Sequence, residues 1–122
     1  MPPFITFNRR VYFPGRISVA QMVVIYNTPK DPAAFDKHYF EIHVPLAKKL
    51  AGLRKYEVST GPVVTLPGGF AVHTIATLYF DDLAAIQNAF GSPEGQACAA
   101  DRAIFAPDDA DFKMFLFNNC AV

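Results

Sequence analysis

At 122 residues, with 52% apolar residues, 12 Phe and no Trp, the chain has the size of one domain able to bury a core without staples. Lys plus Arg equals Asp plus Glu at 11 each, and zero net charge supplies no field for nucleic acid or for a membrane surface. No apolar run is long enough to span a bilayer, and Cys98 and Cys120 form neither a CxxC pair nor a disulfide framework, so free thiols and a cytoplasmic location are expected.

Residues 1–18 read as an added arm before one domain over 19–122. Arg9-Arg10 begins like an export signal, but Pro14, Gly15 and Arg16 interrupt the apolar stretch such a signal needs. Val19 to Tyr26 is β-branched and apolar on both faces, the pattern of a strand covered on both sides. Asp31 followed by Pro32 is a helix cap and first turn, opening a helix to about Leu50. Phe35, Tyr39, Ile42, Leu46 and Leu50 form its apolar stripe. Pro45 removes a backbone hydrogen bond, so a bend or irregular turn is expected near Glu41 to Pro45, and Gly52 ends the helix. Leu53 to Thr60 alternates with charge on one face, as an edge strand does. Phe70 to Phe80 is the next strand, with His73, Ile75 and Tyr79 on one face. Asp81 or Asp82 caps a helix carrying Leu83, Ile86 and Phe90. Ser92-Pro93-Glu94 starts an Ala-rich helix to about Ala103. Asp111 to Asn118 is the last strand. The order β-α-β-β-α-β is that of an α+β, ferredoxin-like subunit with an antiparallel sheet.

Helices cover one face of such a sheet. The other face here is apolar rather than charged, and the composition holds more apolar residues than one small core needs. A second identical sheet is the simplest cover, so a homodimer is expected, with a small, largely apolar ligand held between sheet and helices.

The run DPxAFDxHYFExHVPLAKKL (Asp31 to Leu50) and the run SPEGQAxAAD (Ser92 to Asp101) resemble the EthD family, named after a protein of bacterial ethyl tert-butyl ether degradation. The similarity spans about Met22 to Ala106. It implies a dimeric α/β-barrel of ferredoxin-like subunits and places the family's matching histidine at His43. Many members carry the label reductase. This chain departs from the family in its arm and at Ala51, where members usually have proline.

His43 is the first candidate for chemistry. It flanks the apolar stripe one turn from Tyr39, where an imidazole can shuttle a proton; the structural alternative is a bond to a carbonyl freed by Pro45. Tyr39 and His73 complete the catalytic candidates, His73 standing either as a pocket acid/base or as an interface histidine. Tyr26, His38, Ile42, Ile75, Tyr79 and Asp101 are the candidate pocket-lining residues. Asp101 has a local capping or pairing role as its alternative. His38 lies on the opposite flank of the stripe from His43, as a rim residue. The five-residue step between them is not the His-x3-His spacing of a helical metal site, so no metal is expected. Lys48, Lys49, Arg54 and Lys55 read as a solvated helix end. The chain holds no GxGxxG, GxxxxGK[ST] or GxSxG motif, so no cofactor is expected.

Three functions are open on these residues. One is a cofactor-independent enzyme for a small apolar metabolite, by isomerase, cyclase or oxygenase chemistry, or as one of the so-called reductases. The fold group the resemblance implies includes muconolactone isomerases, polyketide cyclases and cofactor-free monooxygenases. The second is a non-catalytic binding or accessory protein of a degradation pathway. The third is a haem-binding, monooxygenase-like protein with His43 or His73 as the axial ligand.

Overall fold

The structure, a computed structural model, describes residues 18–122. The arm expected over residues 1–18 lies outside the described residues apart from Ser18. Strand β1 (Ser18–Asn27) leads to helix α1 (Pro32–His38), a π-helical turn (Tyr39–His43) and helix α2 (Val44–Ala47), which together form one continuous rod. Strands β2 (Lys55–Val58) and β3 (Val72–Phe80) follow, then helices α3 (Leu83–Gly91) and α4 (Pro93–Phe105), a short 3₁₀ turn and strand β4 (Phe112–Cys120). The sheet is antiparallel with order β2-β3-β1-β4. This is the ferredoxin-like arrangement expected from the element order.

Local chemistry sets the boundaries. The Asp31 carboxylate accepts from the Ala34 N–H at 3.1 Å, Asp82 from Ala85 at 2.7 Å, and the Ser92 hydroxyl from Gly95 at 3.2 Å, each filling an orphan donor of a first turn. Of the two aspartates before α3, Asp82 is therefore the cap. Asp81 instead takes a two-pronged ion pair from Arg54. Gly95 is required where α4 leaves α3, because a Cβ there would stand 2.3 Å from the Ala89 carbonyl oxygen.

The core lies between the sheet and the helices. Ala20, Met22, Val24 and Tyr26 of β1 and Ala76, Leu78 and Phe80 of β3 point into it and meet Phe35, Tyr39, Leu50 and Ile86 from the helical layer. The opposite sheet face carries Val19, Val23, Ile25, Ile75, Phe115 and Phe117. Of these, Phe115 is 48% and Phe117 37% exposed. No other element of the described chain covers this face, and no helix among the described residues is long and apolar enough to cross a membrane.

Two irregularities correct the expected side-chain directions. The first is the π turn. Val44 donates its N–H to the Tyr39 carbonyl, five residues back, so one extra residue is wound into the rod. The buried stripe becomes Phe35, Tyr39, His43, Ala47 and Leu50. Ile42, expected on the stripe, is 48% exposed. The second is a β-bulge: Tyr26 pairs with Thr74 and Asn27 with Val72, leaving His73 unpaired between them. Bulging re-aims the His73 side chain, expected on the open sheet face, onto α1. There its Nε2 stands 2.7 Å from Asp36 Oδ1 and its ring meets Phe35 edge-on.

Candidate active site

The gap between sheet and helices holds a cavity of about 460 Å³. Its floor is β1, β3 and β4, through residues such as Met22, Ala76 and Leu116, and its walls come from the π turn, α2, α3 and α4. Almost all of it is aliphatic or aromatic. The polar interruptions are His43, the hydroxyls of Tyr26, Tyr39 and Tyr56, the Cys98 thiol, Gln87 and Arg102.

His43 reaches this wall because of the π turn. On an α-helix, residues five apart diverge by about 140°; one turn bonded from i to i+5 closes that gap. His38 and His43 therefore converge on a single acceptor, Asp101 of α4. His38 Nε2 lies 2.8 Å from Oδ1, and His43 Nδ1 lies 2.9 Å from Oδ2. A carboxylate only accepts, so each of those nitrogens carries its hydrogen, and His43 keeps Nε2 as the lone-pair nitrogen. Asp101 is 6% exposed. The Phe105 ring, one turn after Asp101 on α4, stands edge-on to His43 with centroids 4.8 Å apart and packs against the imidazole. Burial lowers the proton affinity of His43, while Asp101 opposes that shift through its hydrogen bond and its charge. A ring balanced this way is neutral near pH 7 and backed by an anion, the state a general base needs.

The phenols differ in role. Tyr39 and Tyr56 share a hydrogen bond of 2.6 Å. Burial pushes the Tyr56 hydroxyl up to about 12 and raises Tyr39 and Tyr26 well above the usual tyrosine range. All three stay protonated and none is a base, and in the Tyr39–Tyr56 pair one hydroxyl donates while the other accepts. No other described side chain bonds the Tyr26 hydroxyl. Burial also raises the Cys98 thiol, which keeps it a thiol rather than a thiolate nucleophile.

Of the residues singled out from the sequence, Tyr26, Tyr39 and His43 border the cavity. His38 and Asp101 stand behind His43 and not in the wall, and His38 shares the side of His43 where the opposite flank was expected. Ile42 is turned outward by the π turn. Ile75 and Tyr79 project from the other sheet face, where Tyr79 donates to Glu57 at 2.8 Å. His73 lies in a separate cleft with Asp36 and the loop after β2. The bond from His43 to a carbonyl freed by Pro45 is replaced by the one to Asp101. Tyr56, Arg102 and Gln87 border the cavity and were not singled out. Tyr56 alternates inward on an edge strand, which a period-two reading gives, but nothing local marks Gln87 of α3 and Arg102 of α4 as convergent. Among the described residues, no group of three or more His, Cys, Asp and Glu side chains is placed to hold a metal ion. Arg54 and Lys55 of the basic cluster are engaged by Asp81 and Glu57.

The EthD domain model matches residues 27–109. An uncharacterized 11.0 kDa protein encoded in the thcB-thcC intergenic region of Rhodococcus erythropolis is 41% identical over 87 residues, covering 70% of this chain and 82% of that protein. A crystal structure of an ethyl tert-butyl ether degradation (EthD) family protein from Bacillus halodurans superposes with a TM-score of 0.71 at 31% identity, covering 81% of this chain and 96% of the other. More distantly, SnoaB of Streptomyces nogalater, a cofactor-independent oxygenase, shares the fold with a TM-score of 0.53 at 12% identity over 86% of this chain and 93% of its own. A dimeric ferredoxin-like protein of Thermobifida fusca does so with a TM-score of 0.57 at 17% identity over 91% and 98%. The two motif runs, the sheet order and these matches agree, and the chain belongs to the EthD family.

Proposed function

We propose that the protein is a cofactor-independent enzyme, working as a homodimer, in which His43 moves a proton on a small apolar metabolite held between sheet and helices. The observation that carries this reading is the buried Asp101 carboxylate behind His43 Nδ1, which leaves Nε2 as the basic atom at the cavity. Asp101 fixes the tautomer and stabilises the imidazolium formed when Nε2 takes a proton. The cavity volume of about 460 Å³ falls in the range that encloses a small metabolite. Its apolar walls exclude water and strengthen each polar contact inside. The existence of a cofactor-independent oxygenase on this fold supports a scaffold that works without a bound group.

The dimer follows from the open sheet face. Val19, Val23, Ile25, Ile75, Phe115 and Phe117 leave a contiguous apolar surface that an isolated subunit would expose to water. An identical face satisfies it by two-fold pairing. Ferredoxin-like relatives described as dimeric support this reading.

A binding protein without turnover is the rival reading, favoured by the few polar groups in the wall and by two phenols that bond each other. The test is to incubate the protein, His43→Ala and His43→Gln with a fractionated metabolite extract and follow consumption by mass spectrometry. The expected result is a compound consumed by the protein and about 100-fold or more slowly by both variants. Equal consumption by all three, or a ligand retained unchanged in native mass spectrometry, overturns the catalytic role of His43.

A further inference from the structure

Among the described residues, Arg102 is the one permanently charged side chain in the cavity wall. Its Nη1 donates to the Ala106 carbonyl at 2.9 Å, and its Cζ stands 4.3 Å from the centre of the Phe112 ring. No carboxylate pairs with it among the described residues, since the adjacent Asp101 spends both oxygens on His38 and His43. A guanidinium carries five N–H donors in a planar fork, and one is used here. Arg102 is half-buried, so water meets part of its guanidinium, and its remaining donors are available to an oxygen that becomes anionic in the cavity. The Tyr26 side chain is buried and borders the same space, and no other described side chain bonds its hydroxyl. Arg102 lies near enough to both Tyr26 and His43 for its charge to oppose proton binding at each.

Resting on the reading of His43 as a base, we propose that Arg102, helped by Tyr26, binds the oxyanion that develops on a carbonyl oxygen as His43 removes a proton from the neighbouring carbon. The substrate class is then small, apolar, enolisable carbonyl compounds. In the step, Nε2 of His43 takes the proton, the C–H electron pair becomes a carbon–carbon double bond, and the carbonyl π pair moves onto oxygen, facing the guanidinium. Collapse of the enolate returns the same proton from His43 to another carbon of the conjugated system. The net change is isomerisation, with no oxidant, reductant or leaving group. The spare donors of Arg102 act where charge appears, and the apolar remainder of the wall fits a hydrocarbon body.

The probe is 2-naphthol, an aromatic enol whose own absorption spectrum reports whether it is ionised. Bound to the dimeric protein, it is expected to ionise with a constant at least about tenfold larger than in water, because a nearby cation favours the anion. Arg102→Met should bind the probe and lose that shift, Arg102→Lys should keep part of it, and Tyr26→Phe should reduce it. His43→Ala should retain the shift, which separates this inference from the proton-acceptor role: turnover preserved in His43→Ala would sink that role and leave the Arg102 result standing. The inference is overturned if 2-naphthol fails to bind at millimolar concentration, if the bound probe ionises as in water, or if Arg102→Met ionises it as well as the unaltered protein. Circular dichroism and thermal melting of each variant establish that the fold is intact.

Discussion

Replacing Asp101 with Asn keeps the shape of the side chain and removes its charge. In the protein its two oxygens accept from His38 Nε2 at 2.8 Å and His43 Nδ1 at 2.9 Å. An amide offers an oxygen on one side and an N–H on the other, so one imidazole N–H would face a second donor. His38 has a side chain 28% exposed and His43 one that is 10% exposed, so His38 is the ring able to turn to water. The loss is then about one charge-assisted hydrogen bond, or about 1.5–3 kcal/mol, and urea unfolding should fall by about 2 kcal/mol. Asp101→Ala, which removes the acceptor of both rings while His38 can still turn to water, should cost about 2–4 kcal/mol. Because Asp101 raises the proton affinity of His43 against the lowering by burial, the Asn variant should titrate still lower than the unaltered protein. Long-range ¹H–¹⁵N spectra read both the tautomer and the titration, and with only three histidines in the chain assignment is direct. Two results would refute the reasoning: a His43 carrying its hydrogen on Nε2 in the unaltered protein, or an Asn variant with the same titration and less than about 0.5 kcal/mol of lost stability.

Three further outcomes follow from the same geometry. Burial depresses the proton affinity of His43 in the folded state, so the unfolded chain binds that proton more readily. The His43 contribution to stability is complete above the ordinary histidine range and declines as pH falls through it. Urea midpoints at about pH 8 and about pH 5.5 should show the decline, and His43→Gln should reduce it; an equal decline in the variant removes His43 as its source. Val23→Glu puts a charge in the middle of the open sheet face and should yield a folded monomer by sedimentation, whereas a persisting dimer would mean that subunits pair elsewhere. Tyr56→Phe keeps the packing but takes away the 2.6 Å partner of Tyr39, and should lower stability by about 1 kcal/mol in thermal or urea unfolding, a loss that an unchanged midpoint would disprove.

Local signals in this chain were legible where the physics is local. Asp31, Asp82 and Ser92 are caps because a short polar side chain fills an orphan N–H within its own turn. The inward set of β3 follows from strict alternation, and the apolar outer face of the sheet was visible as the absence of charge between Val19 and Tyr26. What stayed hidden depends on one-residue irregularities. Pro45 marks a fault in the rod, but whether the chain answers with a kink or with an extra residue is decided by the packing of α4 beneath it. That choice exchanged Ile42 for His43 in the buried stripe and brought His38 round to the same acceptor. The bulge at His73 likewise depends on the register of β1 against β3, and no composition near His73 announces it. Asp101 looked like an ordinary residue of an Ala-rich helix because its partners lie 63 and 58 positions earlier in the chain.

The inserted residue in the first rod ties the chemistry of the protein to its architecture by phase. Winding the same residues as an unbroken α-helix would rotate everything after Tyr39 by about 100° relative to what precedes it. Either Phe35 would leave the core or the imidazole would leave the wall. These residues can therefore wind regularly or keep His43 and His38 on one carboxylate, but not both.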